Sequence, residues 1–134
     1  MLRQEPLIPT TGNEYPQHQR GKIRLNEIVK EKAFIITNYE VSLGTTETSL
    51  GERYFIADIL GFWYDIRRGT FKKVDFEVDG NYHNSRTQLY KMVLRDNALL
   101  RKGIQTVRIL VGDLVGKKKL DSETIWKEIL YQLD

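Results

Sequence analysis

The sequence predicts an α/β fold in which a mixed four-stranded sheet is flanked by helices. Segments rich in Phe, Ile and Val read as strands, and segments with apolar residues three and four apart read as helices. Their order along the chain is α, β, β, β, α, β, α. The helix between the last two strands is typical of a parallel crossover. The 134 residues are enough for one domain with a core of its own.

Each helix and strand is predicted from a local pattern in the sequence. All three prolines fall within residues 1–17, which predicts an irregular N-terminal arm before a single domain at 18–134. Leu25, Ile28 and Val29 form the apolar stripe of a first helix at 18–34. We expect the second strand to bend at Gly61. The predicted strands are 33–44, 53–66, 71–80 and 104–112, and the later helices are 87–103 and 121–134.

Composition limits the kind of protein and of site. The net charge of +3 permits nucleic-acid binding without requiring it. No apolar run reaches the ~18 residues of a membrane span, and the chain does not start with a signal-peptide pattern, so we expect a cytoplasmic protein with no membrane partner. Cysteine is absent, so any metal site must rely on oxygen ligands and suits Mg²⁺ or Mn²⁺.

The strand read from KVDFEVDGNYH alternates between an apolar face and an acidic face. Asp75, Glu77 and Asp79 share the acidic face, where like charges repel one another. The face could lie in water, pair with basic side chains, or bind a cation. If RRGT at 67–70 is the turn of a hairpin, Asp65 lies opposite Lys72 and Asp58 opposite Asp79, one diagonal step from Glu77. This convergence favours a divalent cation, whereas Asp75, nearer the turn, is expected to pair with a lysine or arginine.

These residues resemble the PD-(D/E)XK restriction-endonuclease-like nucleases, in the branch related to very-short-patch-repair (Vsr-like) endonucleases. The similarity lies in three blocks in the same order: EVDGNYH, then RDNALLRKG at 95–103, then Val107 and Arg108. It implies a restriction-endonuclease-like core. The chain departs from the family where Asp79 replaces the motif lysine, and the zinc-binding cysteines of the repair enzyme are missing. Mismatch specificity therefore does not transfer.

The resemblance implies a Mg²⁺-dependent (or Mn²⁺-dependent) DNA endonuclease, either a nicking or a structure-directed enzyme. Asp58, Glu77 and Asp79 would be metal ligands, with Asp79 alternatively orienting water. His83 would act as general acid or base, with a structural or surface histidine as the alternative. Glu27 of the first helix would either reach the same cleft or be an ordinary exposed residue.

The second predicted helix has an apolar stripe of Leu89, Met92, Val93 and Leu100, and Asp96 falls within it. Basic residues predict contacts to DNA, although each alone is typical of a solvated surface. Trp63, Tyr64 and Tyr82 could stack on or wedge between bases, and the sheet core is at least as good an alternative for Trp63. The small size suggests a homodimer or a separate targeting protein. The rival hypotheses are a catalytically inactive nucleic-acid-binding module and a nuclease-fold subunit. The predicted DNA-contacting residues are Arg67, Arg68, Lys72, Lys73, Lys91, Arg95 and Lys102.

Overall fold

The computed structural model describes residues 14–32, 34–37, 40–42, 54–80 and 86–134. It is an α/β fold with a four-stranded mixed sheet flanked by helices, as the sequence predicted. No helix formed by these residues is long and apolar enough to cross a membrane. The elements in chain order are α1 (Glu14–Glu31), β1 (Ile35–Thr37), β2 (Glu40–Ser42), β3 (Tyr54–Ile56), β4 (Ile59–Asp65), β5 (Thr70–Asp79), α2 (Arg86–Arg101), β6 (Ile104–Leu110), α3 (Val111–Val115) and α4 (Ser122–Leu133).

The main sheet has the strand order β1-β4-β5-β6. β4 runs antiparallel to both β1 and β5, and β6 runs parallel to β5. The parallel pair is joined through α2, as the crossover pattern predicted. β2 and β3 form a separate two-stranded antiparallel sheet. The carboxyl ends of β5 and β6 therefore lie at the same edge of the sheet as the start of β4.

One face of the sheet, which we call the core face, packs against α1, α3 and α4. The stripe predicted for the first helix is confirmed, because Leu25 and Val29 are fully buried against this face. Phe34 joins the core through its ring, which stacks on Trp63 at 5.6 Å and meets Phe76 edge-on at 5.1 Å. The most buried large side chains of this core are Phe76, Leu25, Ile59, Leu114, Ile125 and Ile129.

The opposite face, which we call the α2 face, is covered only in part. Leu60 of β4 and Ile104 of β6 pack against Ala98 and Leu99 of α2 in a small second core. The stripe predicted for this helix is wrong, because Leu89, Val93 and Leu100 are exposed. The apolar positions of α2 fit more than one stripe at helical spacing, and the sheet contacts only the one that holds Ala98 and Leu99.

Several boundaries differ from the predictions. The strand predicted at 33–44 is split into β1 and β2, which belong to different sheets, and the strand predicted at 104–112 ends where α3 begins. α1 begins at Glu14, so residues 14–17 belong to the helix and not to the predicted arm. Pro16 is tolerated there because the first N–H groups of a helix have no partner within the helix. The predicted strand at 53–66 is broken between Ile56 and Ile59, not at Gly61. Gly61 lies inside β4, where an added Cβ would be 2.9 Å from the Phe34 ring.

The predicted hairpin register is wrong by two residues. Asp65 pairs with Thr70, not with Lys72, and the last pair at the other end is Ile59 with Phe76. The turn closes one residue earlier because the Asp65 side chain accepts the N–H groups of the two arginines that follow Ile66. Gly69 ends this turn at a φ of +66°. A shift of two residues preserves the alternation, so Asp58 still belongs to the acidic face.

Candidate functional site

A cluster of three carboxyl groups lies on the α2 face, where β4 begins and β5 approaches its end. We call Asp58, Asp75 and Glu77 the carboxylate cluster. Asp75 and Glu77 share a face because they are two residues apart on one strand. Asp58 stands one step beyond the Ile59–Phe76 pair, which brings it opposite Glu77 and not opposite Asp79. The sequence thus predicted the convergence of Asp58 and Glu77, but with the wrong partner directly opposite Asp58.

Backbone hydrogen bonds hold Asp58 against β5. The Asp58 N–H donates to Glu77 Oε2 at 3.3 Å, and the Val78 N–H donates to Asp58 Oδ2 at 2.9 Å. These bonds continue the contact between the two strands beyond the end of the regular ladder. The break before β4 frees the Asp58 N–H from ladder pairing and turns it toward a side chain. Both carboxyl groups are therefore fixed by main-chain atoms.

The inner part of the cluster holds more negative charge than its surroundings neutralise. Burial, then the hydrogen bond to Asp75 and the charges of Asp75 and Asp58, raise the pKa of Glu77 to about 11. Burial also raises the pKa of Asp75 to about 6, although the hydrogen bond to Glu77 opposes that rise. The pair therefore holds a proton near neutral pH when no cation is bound.

Asp75 is the most buried member of the cluster, with 1% of its surface exposed. Thr106 Oγ1 donates to Asp75 Oδ2 at 3.4 Å, in place of the lysine or arginine that the sequence suggested. With both carboxyls ionised, Asp75 Oδ1 has no hydrogen-bond partner. Only a proton on one carboxyl allows Asp75 and Glu77 to hydrogen-bond to each other. A buried carboxylate oxygen of this kind is a ready ligand for a cation.

His18 of α1 contacts the cluster, and the sequence did not single it out. Its Nε2 lies 3.2 Å from Asp58 Oδ2. The hydrogen bond to Asp58 raises the pKa of His18 despite the opposing effect of burial. Burial pushes the pKa of Asp58 upward, but the bonds from His18 and from the Val78 N–H outweigh it, so the pKa is lowered. His18 lies seven residues before Leu25 and thus on the same helix face, a spacing that could have revealed it.

Arg108 of β6 joins Asp79 to α2. Its Nη1 lies 3.1 Å from Asp79 Oδ1, and its Nη2 lies 2.7 Å from Asp96 Oδ1. The two carboxylates raise the Arg108 pKa even though burial opposes this. Asp79 is therefore ion-paired with an arginine, whereas no ion pair of Asp75 or Glu77 is seen among the described residues. Asp96 points toward β6 through this ion pair, although the apolar residues grouped with it in the sequence are largely exposed.

Two other predicted site residues stand apart from the cluster. His83 falls at 81–85, outside the described residues, as does Tyr82. Glu27 is exposed on α1, nine residues beyond His18, which is roughly 13 Å along the helix axis. The structure therefore does not bring Glu27 to the carboxylate cluster, and His18 is the α1 side chain that reaches it.

The predicted DNA-contacting residues fall into two groups. Arg67 and Arg68 lie in the β4–β5 turn, whereas Lys72 and Lys73 lie on β5. Lys73 is two residues from Asp75 on the same strand face, or roughly 7 Å. Arg68 contacts Asp65 and Asp134, and Lys72 Nζ donates to the Leu133 carbonyl at 3.5 Å. Lys73 is exposed. In the second group, Lys91 of α2 and Lys102 of the turn after it are exposed, and Arg95 of α2 is half-buried.

The donor set fits a hard divalent cation in its chemistry, although the described residues contain no group of three His, Asp or Glu side chains already arranged around a metal position. Every donor of the carboxylate cluster is an oxygen, as Mg²⁺ and Mn²⁺ prefer. The raised Glu77 pKa and the unpartnered Asp75 Oδ1 both indicate negative charge that a cation would neutralise. If a cation binds here, Asp58, Asp75 and Glu77 would be its candidate ligands.

Comparisons of the whole chain with protein-family models, with curated proteins and with solved structures gave no match.

Proposed function

We propose that the protein is a metal-dependent endonuclease that hydrolyses DNA phosphodiester bonds, built on a restriction-endonuclease-like core of the PD-(D/E)XK type. The observation that carries this proposal is the carboxylate cluster at the start of β4 and near the end of β5. Asp58 and Glu77 meet there across a hairpin, and among the described residues no ion pair is seen for the buried Asp75 and Glu77. The resemblance to the Vsr-like branch points to the same two residues, because Glu77 begins EVDGNYH and Asp58 precedes the hairpin.

Asp58, Glu77 and Asp75 would hold Mg²⁺ or Mn²⁺. The bound cation would supply an activated water and neutralise charge on the phosphate. Asp75 takes the inner place that the sequence assigned to Asp79, because Asp79 is paired with Arg108. Arg108 anchors the end of β5 to α2 through Asp96 and thereby keeps the cluster rigid.

His18 supplies the titrating group of the proposed site. Its Nε2 lies against Asp58, and 35% of its side chain is exposed. Its raised pKa keeps the imidazole protonated to higher pH than usual, and its exposed side can exchange that proton with solvent. This is the role that the sequence gave to His83. The two histidines lie on opposite sides of β5 in the sequence, and His18 is the one with a defined contact.

The second candidate function is a catalytically inactive nucleic-acid-binding module or a nuclease-fold subunit that works with a targeting protein. The ion pairs favour it: His18 occupies one oxygen of Asp58, and Arg108 occupies Asp79. A cluster already neutralised by protein cations has less need of a metal. The unneutralised Glu77 and Asp75 favour the enzyme instead.

Cleavage of supercoiled plasmid tests the proposal. The wild type is incubated with Mg²⁺ or Mn²⁺ beside Asp58→Ala, Glu77→Ala and the matched control Glu31→Ala, an exposed acid of α1. We expect nicked or linear plasmid from the wild type and the control, and a loss of at least 100-fold in both cluster variants. Equal cleavage by all four proteins would place the activity elsewhere. No cleavage on plasmid, forked or junction DNA would favour the inactive module.

A further inference from the structure

An aromatic surface lies uncovered on the α2 face, at the hairpin end of the sheet. We call Tyr64, Phe71 and the neighbouring Ile35 and Phe62 the aromatic platform. Tyr64 pairs with Phe71 across β4 and β5, and Phe62 pairs with Ile35 across β4 and β1. Directly paired residues project from the same face, so the four side chains share one surface. This is also the face that carries the carboxylate cluster.

The platform remains open because α2 packs on this same face only near β6 and Leu60. The second core extends from β6 to Leu60 and the edge of Phe62, and no further toward the turn. Phe71 is 72% exposed, Ile35 67% and Tyr64 47%. The Tyr64 and Phe71 rings contact each other at a centroid distance of 5.0 Å. Two large rings are thus held side by side in solvent, where burial does not account for their presence.

The charges around the platform are positive. Lys73 is paired with Phe62 and is exposed. Its partner on β6, Ile104, is separated by one glycine from Arg101 and Lys102, which are both exposed. Within the described strands and α2, the carboxylates of this face lie toward its cluster end. Asp65 belongs to the other face by alternation, and it is engaged with the turn.

The exposed rings and the positive charges around them together favour one kind of ligand. Like charges around the rings disfavour a second copy of the chain on the same surface. The rings stand on the open surface of a sheet, where they can contact bases that are already unpaired but not bases stacked inside a duplex. Exposed aromatic rings beside cationic side chains are the arrangement by which proteins bind unpaired nucleic-acid strands, with bases on the rings and phosphates on the cations.

We propose that the aromatic platform binds single-stranded DNA by stacking bases on Tyr64 and Phe71. Resting on the proposed nuclease function, this assigns as substrate a DNA with an unpaired segment next to the cleaved bond. Tyr64 is six residues from Asp58 along β4, or roughly 20 Å. At ~3.4 Å per nucleotide this is a separation of about six nucleotides between the stacked bases and the carboxylate cluster.

Fluorescence anisotropy of labelled (dT)12, measured in EDTA so that no cleavage occurs, tests the stacking. We compare the wild type with Tyr64→Ala, Phe71→Ala, the double variant and the conservative Tyr64→Phe. Each alanine should weaken binding about tenfold and the double variant about 100-fold, whereas Tyr64→Phe should bind like the wild type. The control is Tyr131→Ala, which removes an 80% exposed ring on α4 at the core-face side. Thermal melts confirm that each variant is folded.

The outcomes separate this inference from the proposed function. Loss of (dT)12 binding in the alanine variants alone supports the platform even if no metal produces cleavage. Unchanged binding in the double variant overturns the platform even if Asp58 and Glu77 prove essential for cutting. A wild-type dimer that the double variant converts to a monomer also overturns it, because the rings would then form a protein interface. With active enzyme, forked DNA should be cut about six nucleotides from the unpaired segment, and blunt duplex far more slowly.

Discussion

Replacing Glu77 by glutamine should stabilise the metal-free protein at neutral pH, although it removes a residue that the proposed function requires. Glu77 is acidic, half-buried and adjacent to two other carboxyls. Glutamine has nearly the same shape and carries no charge. Its amide N–H₂ can donate to the buried Asp75, and its oxygen can still accept the Asp58 N–H. The variant therefore keeps the hydrogen bonds and loses the repulsion.

The size of the effect follows from the Glu77 pKa. Its ordinary value of 4.5 rises to about 11 in the folded protein. The stability that the protonated carboxyl contributes is complete below pH 4.5 and is lost as pH rises toward the folded pKa. At 1.36 kcal/mol per unit, the loss at pH 7 has an upper bound of about 3.4 kcal/mol. Because the proton is shared with Asp75, we expect about 2 kcal/mol, or roughly 5–10 °C in melting temperature.

The assay is a series of thermal melts in EDTA from pH 4 to pH 8, with Glu31→Gln as the control. The difference between Glu77→Gln and the wild type should be near zero at pH 4 and should grow with pH. Added Mg²⁺ should then stabilise the wild type, by about 2.7 kcal/mol at 100 times the dissociation constant, and the glutamine variant less. A glutamine variant that melts at or below the wild type at pH 8, or a difference that does not change with pH, would refute the reasoning.

Three further predictions concern neighbouring residues. His18→Gln should destabilise the metal-free protein by about 0.5 kcal/mol at pH 6 and by less at pH 9. The reason is that the stability linked to the raised His18 pKa is present below pH 6.5 and is lost as pH rises above the folded pKa. Equal losses at both pH values in urea titrations would contradict this prediction. Arg108→Ala leaves two part-buried carboxylates without their cation and should cost about 3 kcal/mol, and a urea midpoint within error of the wild type would show that the bridge contributes little. Gly61→Ala should lower the free energy of unfolding by about 1–3 kcal/mol in the same titrations, because its Cβ would lie 2.9 Å from the Phe34 ring. Gly112→Ala should leave it unchanged, because an added Cβ there has nothing within 4 Å. Similar urea midpoints for the two variants would contradict the close approach at Gly61.

Sequence reasoning succeeded where one local rule decided the structure. The alternation of β5 placed Val74, Phe76 and Val78 in the core and the acids on the other face. The stripe of Leu25 and Val29 identified the buried side of α1 for the same reason. Both patterns depend only on the period of a strand or a helix, which neighbouring elements do not alter.

Sequence reasoning was insufficient where contacts between different elements decide the structure. The sequence predicted Asp79 as a metal ligand or water-orienting group beside Glu77, and it did not show that β6 brings Arg108 next to Asp79. Glu27 and His18 both lie on α1, and only the angle at which the helix crosses the sheet decides which of them reaches the cluster. No local pattern contains that angle, because it is set by how the side chains of α1 pack against the sheet and against α3 and α4.

The sequence by itself determined the α/β class, the acidic face of β5 and the presence of Asp58 on that face. The last point survived an error of two residues in register because the alternation has a period of two. Only the tertiary structure decided which of the described carboxyls pair with basic side chains and that His18 contacts Asp58. It also decided that Tyr64 and Phe71 remain exposed while Trp63 stacks in the core. Charge compensation and exposure depend on distances between segments far apart in the chain, and packing alone sets those distances.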